Sequence, residues 1–254
     1  MDLNAGVGES FGLWKLGDDE TLLSVVTSAN VACGFHAGDP SILNRTTRLA
    51  ATLGVAIGAE VSYRDLVGFG RRFMDIRPTE LSADITYQIG ALDAFARQAG
   101  QPVTYVKPHG ALYHAVVQHE EQAAAVVDAV ARYSHVSDRQ LAVLGQPGSA
   151  LLQAADKLGL RTVREVFADR GYDGTGQLLP RDAPGALVTD LDQVAKRAVR
   201  MAVKGEVVTG DGSVVLVSAE SICVHGDTLG AVEIARSVRA ALENAGVELS
   251  PFAP

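Results

Sequence analysis

Short apolar runs and longer stretches of helical periodicity alternate about seven times along this chain. Parallel strands need long crossovers to return to the same edge, so this alternation reads as a parallel sheet with helical connections. The spacing predicts strands at residues 2–4, 28–32, 55–59, 103–107, 141–145, 162–167 and 222–225. It predicts helices at 41–53, 79–99, 120–133, 149–158, 191–203 and 229–245. Start and stop signals frame several of them. Asp39-Pro40 opens the first helix and Gly54 closes it. Pro78-Thr79-Glu80 opens the second, and Gly100 follows it. Asp190 caps the fifth ahead of Gly205, and Asp227-Thr228 precedes the last, which Gly246 ends. Residues 206–217 interrupt the pattern, since two β runs joined by Gly210-Asp211-Gly212 read as a surface hairpin.

Two architectures fit such a pattern. A doubly wound open sheet keeps its ligands near one topological switch point. A barrel gathers functional groups at the C-terminal ends of many strands. Here polar residues end most of the strand candidates. The expected fold is therefore α/β, an irregular seven-stranded (β/α) barrel. The whole chain, 1–254, is expected to form one domain, since α/β barrels of ~250 residues are common.

Three pairs of polar residues are spaced two apart: Asp2 and Asn4, Lys107 and His109, and His225 and Asp227. Residues so spaced in a strand point to one face. Lys107 and His109 form the strongest pair, because an inward lysine is costly unless it meets an anion. Lys107→Met is expected to lower turnover far more than stability. Asn30, His36 and Asp39 fall at the end of the second strand and at the N-terminus of the next helix. His36 is a candidate general base or metal ligand, and Asp39 serves equally well as a helix cap. Cys33, among small apolar neighbours, reads as a buried thiol. Glu9 lies in the Gly-rich run after the first strand, and Glu60 closes the third. Gly68 and Gly70 can expose backbone N–H groups beside Arg71 and Arg72, as a carboxylate clamp or merely as a solvated basic turn. Glu165, Asp169, Arg170 and Tyr172 surround the end of the sixth strand, with Asp169 the preferred catalytic carboxylate. His114 and His119 are expected at the surface and His135 in a loop. A ring of His, Asp, Glu and Asn also suits a divalent metal, although no His-Glu-x-x-His or Cys-x-x-Cys motif supports one.

The net charge of −8 and pI near 5.2 exclude nucleic acid and anionic membranes as expected partners. No apolar run approaches the ~20 residues of a membrane span, and Met1-Asp2-Leu3-Asn4 carries no signal-peptide pattern. Two cysteines, Cys33 and Cys223, in apolar runs imply no disulfide framework. A soluble, cytoplasmic protein is expected.

Six blocks of the chain, in order, resemble the LamB/YcsF family: residues 2–12, 28–40, 68–72, 106–113, 165–172 and 223–227. The resemblance runs from the first residue nearly to the last. It implies a seven-stranded barrel of the glycoside hydrolase/deacetylase type. It also implies ATP-dependent opening of the lactam 5-oxoproline to L-glutamate, together with partner subunits B and C. The family commonly reads Gly-Ala-His-Pro-Ser-Tyr-Pro-Asp where this chain has Gly58-Ala59-Glu60-Val61-Ser62-Tyr63-Arg64-Asp65, so Glu60 replaces an imidazole. No Gly-Lys-Ser/Thr phosphate loop is present, so ATP is expected mainly on the partners. In this reading Asp2, His36, Lys107, His109, Asp169 and His225 are the expected catalytic groups. Asn4, Glu9, Asn30, Glu60, Arg71, Glu165 and Asp227 are expected to bind substrate. Lys107 would stabilise the oxyanion, a histidine would carry the proton, Asp2 and Asp169 would orient, and Arg71 would hold the substrate carboxylate. Alternatives are a stand-alone, metal-dependent deacetylase or amidohydrolase, and a non-catalytic lactam-binding subunit.

Overall fold

The computed structural model describes residues 1–228 and 230–253. Six strands come first: β1 (Asp2–Val7), β2 (Ser28–Ala32), β3 (Ala56–Val61), β4 (Val103–Pro108), β5 (Ala142–Gly145) and β6 (Thr162–Phe167). The antiparallel pair β7 (Glu206–Val208) and β8 (Val214–Leu216) follows, then β9 (Ser221–Val224). β1 to β6 and β9 close a parallel barrel, with β9 hydrogen-bonded to both β6 and β1. The expected seven-stranded barrel and the hairpin excursion are therefore both present. The helices are α1 (Asp19–Leu23), α2 (Pro40–Leu53), α3 (Pro78–Gln98), α4 (Gly110–Gln118), α5 (Glu120–Val136), α6 (Ala150–Lys157), α7 (Leu191–Lys204) and α8 (Ala231–Asn244). None of the described helices is long and apolar enough to cross a membrane.

Local chemistry sets the helix ends. Asp39 accepts from the backbone N–H of Ser41 and Ile42, Pro40 begins α2, and Gly54 ends it in the left-handed region. Asp190 caps α7 in the same way. The last helix departs from expectation. Its expected first residue, position 229, lies outside the described residues, and α8 starts at Ala231 without a side-chain cap. Asp227 is thus left for other work. His135 lies in the last turn of α5 and not in a loop.

β1 is longer than the sequence pattern suggests, and this changes the reading of Asp2 and Asn4. Leu3, Ala5 and Val7 face outward into the hydrophobic core under the helices. Asp2 and Asn4 point into the barrel, and the strand continues to Val7. Asp2 therefore sits at the N-terminal end of the barrel, where it accepts hydrogen bonds from Thr27, Ser28 and Ser221. The C-terminal tail covers the same end. Ser250 donates to the Met1 carbonyl, and the Phe252 ring packs 4.8 Å from that of Tyr105. Tyr105 in turn fills the barrel beside Gly58, where a Cβ would stand 2.1 Å from its ring. Glycine at 58 is required by this close approach.

Candidate active site

A cavity of ≈ 680 Å³ opens at the C-terminal ends of the strands. Glu9, Glu60, Arg71, Lys107, His109, His225 and Asp227 all line it. Asp2, Asn4, Asn30 and Glu165 do not. They form a buried polar network inside the barrel, beneath the cavity. Asn4 donates to Glu165 at 2.9 Å and Ser221 at 2.7 Å, and accepts from Asn30 at 2.7 Å. Asn30 also accepts from the Tyr105 hydroxyl at 2.8 Å. A catalytic role for Asp2 and direct substrate contact by Asn4 and Asn30 are corrected accordingly. These side chains are occupied by one another because β1 and β2 place them at the middle and floor of the barrel.

Lys107 joins the network to the cavity. Its Nζ donates to Glu165 Oε1 at 2.6 Å and to Asn4 Oδ1 at 3.2 Å, and it touches Cys223 Sγ at 3.2 Å. Burial works against the lysine charge, but the Glu165 and Glu60 carboxylates outweigh it and raise the pKa above the ordinary lysine value. Lys107 is therefore cationic. Glu165, expected to bind substrate, instead neutralises this lysine. The Cys223 thiol is pushed well up by burial and stays protonated.

His225 is held by Asp169. The carboxylate accepts from Nδ1 at 2.8 Å and from the His225 backbone N–H at 3.0 Å. Burial pulls the Asp169 carboxyl upward, but its bonds to His225 prevail and hold it below the usual range. With Nδ1 donating to a fixed carboxylate, Nε2 is the free nitrogen of a base in a cavity wall. Asp169 itself does not line the cavity, and acts through this histidine.

Arg71 donates to Asp227 at 2.5 Å, and Arg181 approaches the same oxygen at 3.5 Å. The second guanidinium nitrogen of Arg181 is buried without a hydrogen-bond partner. Nothing in the sequence marks Arg181 as a site residue. It comes from the irregular segment between β6 and α7, which has neither periodicity nor motif. The expected N–H cradle at Gly68 and Gly70 is not available. Asp65 takes the Gly68 N–H with its side chain and the Gly70 N–H with its carbonyl, and it also pairs with Arg72. Arg170 is buried in the loop that carries it, donating to the carbonyls of Ala186 and Leu179. His114 is exposed, at the rim of the cavity.

The fourth group is the most compact. One donor atom each from Glu9, His36, Glu60 and His109 lies within 4.8 Å of the other three. The His36 and His109 rings stack at 3.9 Å. Burial, reinforced by His109, pushes the His36 imidazole down to about 4. Burial raises Glu60, yet the two imidazoles outweigh it and hold it below the usual carboxylate range. Glu9 is pushed well up, by burial first and then by Glu60. Two imidazoles and two carboxyl groups have the chemistry of a divalent-cation site. Four separate segments supply them, which is why no linear motif announces the set.

Comparison with known proteins adds to this geometry. The sequence model of the LamB/YcsF family matches residues 1–254. The chain is 58% identical over 253 residues to a protein of Streptomyces avermitilis named as the A subunit of 5-oxoprolinase, covering 100% of both. It is 54% identical over 252 residues to a Mycobacterium leprae protein of the same name, covering 99% of this chain and 98% of that one. The crystal structure of a lactam utilization protein from Thermus thermophilus superposes with a TM-score of 0.92, at 46% identity and 99% coverage of each chain.

Proposed function

Because the chain belongs to the LamB/YcsF family over its whole length, we propose that it is the ring-opening subunit of an ATP-dependent 5-oxoprolinase. The observation that carries this reading is the end-to-end similarity to proteins named as the A subunit of 5-oxoprolinase. The cavity supplies groups suited to the task. A five-membered lactam closes readily, so its hydrolysis needs coupling to ATP. Phosphorylation of the amide oxygen makes the lactam carbon electrophilic, so water adds to it and the C–N bond breaks as the ring nitrogen takes a proton, leaving a glutamyl γ-phosphate. A second water attacks this acyl phosphate through a tetrahedral centre with a negative oxygen, and phosphate leaves to give glutamate. Lys107, charged and lining the cavity, stabilises that charge. His225 takes the proton from the attacking water, positioned by Asp169. Arg71 and Arg181, which converge on Asp227 in the cavity wall, hold the substrate carboxylate.

ATP is bound mainly on the partner subunits, B and C. The loss of the Gly68 and Gly70 N–H groups to Asp65 supports this, since the sequence has no Gly-Lys-Ser/Thr phosphate loop to replace them. The quartet of Glu9, His36, Glu60 and His109 favours a second reading, a metal-dependent amidohydrolase acting without ATP.

Reconstitution with the partner subunits decides between them. Glutamate and phosphate release is measured from 5-oxoproline and from lactams of other ring size. The expected result is release from 5-oxoproline that requires ATP and falls steeply in His225→Asn while the subunits still assemble. Lactam hydrolysis independent of ATP would establish the second reading instead.

A further inference from the structure

We propose that Glu9, His36, Glu60 and His109 bind one divalent transition-metal ion in the wall of the cavity. The inference does not depend on the lactam reading. His36 is wholly buried, yet neither ring nitrogen has a hydrogen-bond partner, and Glu60 Oε2 is also unpartnered. Buried polar atoms of native proteins are nearly always satisfied, so such a cluster calls for a missing ligand.

Both spacings are too long for hydrogen bonds, and the shorter one suits shared coordination. His109 Nδ1 stands 3.4 Å from Glu60 Oε1, and His36 Nε2 stands 3.8 Å from Glu60 Oε2. Hydrogen bonds between such groups are shorter, about 2.7–3.2 Å. Two donors each bound to one ion at ~2.0–2.2 Å stand roughly 3.0–3.6 Å apart at ordinary coordination angles.

The orientation of His109 argues the same way. Its Nε2 lies 3.0 Å from the Phe69 carbonyl, which can only accept, so this nitrogen carries the hydrogen. Nδ1 is then the nitrogen that faces the Glu60 carboxylate, 3.4 Å away with no hydrogen bond between them. A cation bound by both satisfies the pair. A ligating histidine whose other nitrogen is fixed by a backbone carbonyl is a recurrent metal-site arrangement. Phe69 has φ of 54°, in the left-handed region that a bulky residue seldom occupies. That backbone presents the carbonyl to His109, while the Phe69 ring meets both imidazoles edge-on at 5.1 and 5.7 Å. Strain of this kind is characteristic of functional sites.

Two imidazoles with two carboxylates favour Zn²⁺ or Mn²⁺ over Mg²⁺ or Ca²⁺, which prefer oxygen alone. The test is titration of the chelator-stripped chain, without partners or substrate, followed by calorimetry and metal analysis. The expected result is one equivalent of Zn²⁺ or Mn²⁺ per chain and a higher Tm, with Mg²⁺ giving neither. His36→Asn and Glu60→Gln lower the affinity by at least about tenfold, as loss of even an outer partner does. His225→Asn binds like the unaltered chain. Absence of stoichiometric binding, or equal binding by His36→Asn and Glu60→Gln, overturns the proposal. If either variant fails to fold, Co²⁺ on the unaltered chain decides. A visible d–d band displaced by one equivalent of Zn²⁺ supports the site, and absence of such a band refutes it. Because lactam turnover is not part of this readout, a negative result here leaves the lactam reading standing.

Discussion

Lys107 Nζ lies 2.6 Å from Glu165 Oε1, with both side chains withdrawn from solvent inside the barrel. The pair links β4 to β6 and forms the boundary between the buried network and the cavity. The sequence alone suggests a Lys107 that stability can spare, but its partner makes that untenable. Lys107→Met strands a carboxylate in the interior, which costs about 3–5 kcal/mol. The double variant Lys107→Met/Glu165→Leu, having no stranded charge, recovers most of that loss. Urea unfolding of the three proteins checks this. A single variant as stable as the unaltered chain contradicts it. Turnover of the assembled enzyme is lost in both variants, since the oxyanion partner is gone.

Asp169→Asn tests the orientation of His225. The amide presents no fixed acceptor to Nδ1–H, so the imidazole loses its tautomer and its angle. Turnover is expected to fall on the order of 10²–10⁴-fold, the range for losing a general base, with KM little changed. Steady-state kinetics of the assembled enzyme give the split. A raised KM with unchanged kcat would make Asp169 a binding group.

Gly58→Ala sets a methyl 2.1 Å from the Tyr105 ring. Neither can move far, because the hydroxyl is bound to Asn30 and the ring is held by Phe252. Overpacking of this kind costs about 1–3 kcal/mol or more. Tyr105→Ala in the same chain makes room, so the two substitutions are strongly non-additive. Thermal unfolding of the singles and the double measures the coupling. Simple additivity would show that the ring is free to yield.

Asp93 gives a pH prediction. Burial raises its carboxyl, but Arg97, the Val103 N–H, Tyr133 and Arg139 outweigh it and lower the pKa. A carboxyl depressed in the folded state stabilises fully above its unfolded value of about 3.9 and loses that contribution as pH falls through the folded value. Asp93→Asn is therefore less stable than the unaltered chain at pH 7, and the gap narrows as pH falls below about 4. Urea unfolding at pH 7, 4 and 3 follows the difference. A gap constant with pH would remove Asp93 from the acid response.

The fold is legible in the sequence because parallel strands and their helices carry strong periodic signals, and Asp39, Gly54, Asp190 and Gly205 mark their ends. The upper site is partly legible for a related reason. Residues such as Lys107, His109, His225 and Asp227 stand out when polar groups follow an apolar run. Asp2 and Asn4 carry the same local signal but belong to the barrel interior. Gly6 and Gly8 make β1 look shorter than it is, so an interior position passes for a strand end. Whether a polar side chain meets substrate or another polar side chain depends on cross-barrel partners such as Glu165 and Ser221. Those lie more than a hundred residues away in the chain. Arg181 is hidden for that reason too, and so is the grouping, though not the members, of Glu9, His36, Glu60 and His109, since only closure of the barrel brings their segments together.

In the proposed division of labour, this chain opens a lactam that its partners activate. The most direct test is coupled release of glutamate and phosphate from 5-oxoproline and ATP, first by the isolated chain and then by the chain with subunits B and C. The predicted result is no glutamate from the chain alone, and glutamate and phosphate in equal amounts once the subunits are present. Steady ATP-dependent glutamate production by the isolated chain would contradict it.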